Sequence, residues 1–145
     1  MAQLVPADAF CYVRFDSLDE AEHMLNEVVR PFDPDWTIDL RNVITGLVPN
    51  VEEQEVVTNR PLGLAYSWKE TPVPVSTLLL PVGDPQAFAL AHDREGRAAP
   101  ATAGDWVAVS SGAQLDLSTP RVELAEDLPA GDAALRIDLD ALLKD

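Results

Sequence analysis

Apolar and polar residues alternate over positions 9–15: Cys11, Val13 and Phe15 fall on one side, Phe10, Tyr12 and Arg14 on the other. A period of two predicts a strand. Ser17 and Glu20 then form a capping box, and Leu18, Ala21, Met24 or Leu25, and Val28 recur at helical spacing. A helix is expected from Ser17 to just before Pro31. After the turn at residues 31–35, a second, shorter helix is expected over residues 36–48, on Ile38, Val43, Ile44, Leu47 and Val48, with Pro49 stopping it. Residues 51–58 read as an acidic loop or a short edge strand.

From Leu62 to Trp68, leucine and aromatic positions alternate with Gly63, Ala65 and Ser67, which predicts a second core strand. Residues 69–74 are a connection, and the apolar run over residues 75–82 has the length of a buried strand, with Pro81 near its end. Asp84-Pro85 is a helix start, with Asp as N-cap and Pro at N1, and the helix reaches about His92 with Phe88 inward. A short strand is expected around residues 99–102, a last core strand at residues 105–110, and a further short strand at residues 122–124. The order strand, helix, extra helix, strand, strand, helix, strand predicts an α+β fold. Setting the extra helix aside, it reads as a ferredoxin-like split βαβ sandwich, a four-stranded sheet with helices on one face. The other face is then free for a partner domain, a partner chain or solvent.

The opening stretch returns near the far end of the chain. Pro6-Ala7 matches Pro129-Ala130; after one extra residue, Gly131, Asp8 falls on Asp132, Ala9 on Ala133, Val13 on Ile137, Phe15 on Leu139, Asp16 on Asp140 and Leu18 on Leu142. The offset of about 124 residues suits a whole domain rather than a solenoid repeat. The expected organisation is one α+β domain over residues 4–112, a linker over 113–130, and the first strand and helix start of a second, truncated copy over 131–145. On that reading the chain is a fragment of something longer.

Charge narrows the partners. The 145 residues carry 25 Asp plus Glu against 10 Lys plus Arg, a net charge of -15. Such a chain repels nucleic-acid backbones and anionic membrane surfaces. Lys69 and Lys144 are the only two lysines; a high-salt habitat and a GC-rich genome both account for so Asp-rich, Lys-poor a chain. No apolar run approaches the ~18 residues of a membrane span, so no membrane insertion is expected. Cys11 is the only cysteine, which excludes an internal disulfide; inside a strand it reads as a small buried hydrophobe.

Residues 5–18, 60–65, 80–88 and 104–110 together resemble tandem α/β domains of unknown function found in large bacterial cell-envelope and secreted proteins. The shared residues include Pro6, Arg60-Pro61, Pro81 and Trp106-Val107. The resemblance implies an envelope or exported setting and carries no catalytic residue.

The candidate chemistry is sparse. Glu20 and His23 form a Glu-x-x-His pair, half of what a di-metal helix site needs, and no second pair occurs. Asp33, Asp35 and Asp39 cluster around a turn and offer hard oxygen ligands for Ca²⁺, without the spacing of a calcium loop. No nucleophile elbow and no Gly-rich phosphate loop is present, so no cofactor is expected. Tyr12, Arg14 and Trp106 are the candidate interaction residues, aromatic positions expected on the free sheet face and packed there on another domain. The reading favours a non-catalytic structural or interaction module of a multidomain exported protein, partnered by an adjacent copy or another protein. The alternatives are a metal-dependent hydrolase or a Ca²⁺-stabilised module built on the Asp clusters.

One consequence is testable from charge alone. The compact state crowds the carboxylates together, and exposed ion pairs offset this by only about 0–1 kcal/mol each. Screening shortens from roughly 8 Å at 0.15 M salt to roughly 3 Å at 1 M. The melting temperature at pH 7 should therefore climb from 10 mM to 1 M NaCl, mostly within the first few hundred millimolar; a flat or falling curve rejects net repulsion.

Overall fold

A computed structural model of the chain describes residues 1–48, 55–68, 74–93, 95–129 and 133–143, without the side chains of Val43, Thr45, Gly46 and Leu47. Expectations for Pro49, for residues 51–54 and 69–73, and for Ala130, Gly131 and Asp132 lie outside the described residues. Among the described residues six strands, β1 (Ala9–Phe15), β2 (Leu62–Ser67), β3 (Val75–Pro81), β4 (Ala101–Ala103), β5 (Trp106–Ser110) and β6 (Ala133–Ile137), form one antiparallel sheet. Its order is β4-β5-β3-β2-β1-β6. Helices α1 (Leu18–Val29) and α2 (Leu40–Leu47) join β1 to β2; α3 (Pro85–Ala91) precedes β4; the one-turn helices α4 (Val122–Ala125) and α5 (Leu139–Leu142) flank β6.

The fold is α+β, but the four-stranded ferredoxin-like sandwich is wrong. That fold would place β1 beside the last core strand, whereas β1 pairs with β2 and β6. The cause is the helix that the sandwich reading set aside. Phe15 pairs with Leu62, so residues 16–61 leave and re-enter the sheet at the same end. One crossover helix carries a chain to the far end of a sheet. Two bring it back, and the returning strand lies antiparallel beside the one it left. Pro81 opposite Trp106 shows the same return between β3 and β5.

The helix starts follow their caps. The side chains of Ser17, Asp39, Asp84 and Asp138 accept from the backbone N–H of Glu20, Asn42, Ala87 and Ala141 at 3.0–3.1 Å. The cap at Asp39 starts α2 later than the apolar spacing suggested. Residues 122–124, expected as a strand, form α4 instead.

Two apolar cores lie on the two sheet faces. On one, Leu62, Leu64, Leu78, Leu80, Val107 and Val109 pack under Leu18, Ile44, Val48 and Phe88 from the helices. On the other, Tyr12, Ala65, Leu79 and Ala108 are covered by Leu4 and Val5 from the start of the chain and by Leu115, Leu117, Leu124 and Leu128 from residues 113–128. The face expected to be free is thus closed by the chain itself. A register shift between Ala9 and Cys11 bulges β1 and puts Ala9 opposite Ser67, on the side of Tyr12.

Tyr12 has no exposed surface and lies across Gly63 of β2. A Cβ built on Gly63 would sit 2.6 Å from the phenolic oxygen and 2.8 Å from the ring, so any side chain there forces the buried Tyr12 to shift. Gly63→Ala should cost about 1–3 kcal/mol in urea unfolding through overpacking. Adding Tyr12→Phe removes the nearest clashing atom and should recover part of the loss; strictly additive effects would show that the two do not meet.

Candidate functional site

The polar residues buried in the sheet converge at one place. Thr77 on β3 stands directly opposite Ser110 on β5, and Ser67 ends the neighbouring β2 on the same face. Each is 2 % exposed or less. They lie at the end of the sheet away from α1–α3 and floor a shallow, tightly packed cleft, partly open to solvent. Two covering segments form its walls: Pro6 and Asp8 before β1, and Gln114, Leu115 and Asp116 after β5. The backbone N–H of Ala7 donates to the carbonyl of Asp116 at 2.9 Å, tying the two walls together. Ser110 Oγ accepts from Gly112 N at 3.1 Å. Ser67 Oγ is buried with no hydrogen-bond partner among the described residues, an arrangement that costs about 1–3 kcal/mol.

None of these residues was singled out by the sequence, and those that were are arranged differently. Asp33, Asp35 and Asp39 are exposed around the turn between α1 and α2. Asp33 Oδ1 accepts from Asp35 N at 3.1 Å, and Asp39 is occupied with Asn42. Glu20 and His23 are exposed on α1. Among the described residues, no group of three or more His, Cys, Asp or Glu is placed to hold a metal ion.

The interaction residues also change character. Tyr12 is in the core, and burial raises its phenol pKa, opposed by the nearby Arg14 charge. Arg14 pairs with Asp16 at 3.1 Å and donates to the carbonyl of Pro129. Trp106 is not a neighbour of Tyr12, since β2 and β3 intervene. Its indole N–H donates to the carbonyl of Pro61, and Arg60 sits 5.3 Å over its ring. The Cys11 thiol is buried, its pKa pushed up by desolvation. His92 is buried against Phe88 and lies 3.5 Å from Glu55.

A second feature is the sheet edge at β6. Leu135 is 59 %, Ile137 44 %, Leu139 62 % and Leu143 76 % exposed, an apolar row running from β6 into α5. Arg121, before α4, holds this edge to the body. It donates to Asp138 at 2.6 Å, to the carbonyl of Ala9 at 3.2 Å, and to Glu123. No described helix is long and apolar enough to cross a membrane. Comparison with models of protein families, with curated proteins and with solved structures finds no match.

The hydrogen bonds from Arg121 lower the pKa of both Asp138 and Glu123 below their ordinary values of 3.8 and 4.5. Carboxyls depressed in the folded state take up protons first when unfolded. Their stabilisation is complete above the unfolded values and is lost as pH falls through the folded ones. The melting temperature should therefore drop on acidification below about pH 5. Arg121→Gln should melt lower at pH 7 and show a shallower drop; two parallel pH curves would refute the coupling.

Proposed function

We propose that the chain is a non-catalytic structural or interaction module of a multidomain exported bacterial protein, at the cell envelope or secreted, and that its partner is an adjacent copy of the same domain. The segments that resemble tandem envelope domains support the setting. The observation that carries the partner is the pairing of β1 with its own echo. Cys11 faces Ile137, the counterpart of Val13; Val13 faces Leu135, the counterpart of Cys11; Tyr12 faces Arg136, its own counterpart. Strand and echo are related by a local two-fold axis through the sheet.

In the first unit, Cys11 lies buried beside β2. Its counterpart on β6, Leu135, is exposed, and so is Leu139 of α5, the counterpart of Phe15. A unit built on β6 as the first is built on β1 would cover this row with its own helices and second strand. Patches of this kind mark contact surfaces.

Sedimentation of the chain at rising concentration in 0.5 M NaCl, where the charge is screened, tests the patch. Weak association between copies is expected, and Leu135→Lys with Leu139→Lys should remove it without lowering the melting temperature. Copies that stay separate at every concentration would count against a like partner.

A further inference from the structure

We propose that the outer edge of β6 is a pairing edge for a second copy of this chain, whose own β6 adds to it antiparallel, so that one sheet runs from copy to copy. This rests on the reading that the partner is a like domain, and goes further in placing the contact on backbone hydrogen bonds.

The alternation of hydrogen bonds along β6 identifies the edge. Asp138 N donates to Phe10 O at 2.8 Å, and Cys11 stands opposite Ile137. In an antiparallel ladder, bonded and non-bonded pairs alternate. Phe10 with Asp138, Tyr12 with Arg136 and Arg14 with Ala134 are therefore the bonded pairs. The N–H and C=O groups of Leu135 and Ile137 then point away from β1, and the side chains of the same two residues are exposed. Among the described residues β6 ends the sheet. In β1 the residues that these two echo, Cys11 and Val13, are ones that turn their backbone groups to β2. The free edge of β6 is thus the edge that carries a strand in the first copy of the motif.

The two edges of the sheet are protected differently. Edges are ordinarily blunted by shortness, by Lys or Pro, by a bulge or by a cover. β4 has only three residues. α3 lies against it, with Gln86 Nε2 donating to Thr102 Oγ1 at 3.2 Å. β6 pairs with β1 over five residues without a register shift and contains no Lys or Pro. Its one charge, Arg136, is turned onto the carbonyls of Glu123, Glu126 and Asp127.

A like partner is favoured because this strand already pairs with its like. β1 and its echo form an antiparallel ladder about a local two-fold axis, and two β6 edges meeting about a two-fold axis repeat that arrangement. The exposed Leu135 and Ile137 side chains of both copies then lie side by side on one face of the joined sheet. The net charge of -15 on each copy opposes the contact until salt screens it.

Amide hydrogen exchange of the full chain at rising concentration in high salt, read residue by residue beside sedimentation, tests the edge. In the dilute chain the Leu135 and Ile137 amides should exchange fast and the Arg136 amide slowly. As copies associate, Leu135 and Ile137 should gain about tenfold or more in protection. Ile137→Pro removes an outward N–H and leaves the bonds to β1 in place. It should abolish association while Arg136 stays protected. Exchange in the parent chain decides the matter by itself if that variant fails to fold. Association with Leu135 and Ile137 still exchanging freely, or undiminished association of Ile137→Pro, would overturn edge pairing and leave the like-partner reading standing. Copies that never associate would overturn both.

Discussion

A sheet whose inner strands are apolar on both faces needs two covers, and this molecule makes them by different means. The helical face is closed by amphipathic helices, whose backbone polar groups are satisfied internally. The other face is closed by chain of low regularity from both flanks of the strand region. Such chain buries carbonyl and N–H groups only if each finds a partner. The partners are specific: Ala7 N to Asp116 O, Arg121 N to Val5 O, and the Arg121 guanidinium to Ala9 O. The second cover therefore depends on a few directed bonds, where the first depends on a continuous apolar surface.

That division explains the polar floor at one end of the sheet. Small residues at Gly63, Ala65 and Ala108 let Tyr12 and Leu79 fill the middle of the second face. Beyond them the cover thins to two crossing segments, and there the strands carry Ser67, Thr77 and Ser110 in place of aliphatic side chains. The change from apolar to hydroxyl lining follows the geometry of the cover.

Local features of the chain were legible in the sequence, and long-range ones were not. Alternation located β1, β2 and β5, a continuous apolar run located β3, and Ser17 and Asp84 marked helix starts because capping chemistry lies within four residues. The failures were of three kinds. Topology turned on counting α2, a helix whose weight cannot be judged from a short apolar spacing. Residues 122–124 alternate like a strand, but Arg121 and its partners make a helical turn of them. Tyr12 and Trp106 share a parity with an apparently open face, and only the fold shows that residues 1–8 and 113–128 return to cover it. The cleft residues were hidden because each is a lone hydroxyl or acid in sequence; register joins them. Some usable signal was there: Ser67, Thr77 and Ser110 all fall near the ends of apolar strands.

The antiparallel pairing of β1 with β6 also sets how the molecule bears load. The start of β1 and the end of β6 lie at the same end of the sheet, with Cys11 opposite Ile137 and Asp138 N bonded to Phe10 O. Tension drawn through the chain on either side of the pair acts on one end of the ladder. The inter-strand bonds then break in succession like a zipper, where a parallel arrangement would have resisted in shear. Under pulling force β6 is the first strand to leave, and the Arg121–Asp138 contact beside it is the latch that delays it.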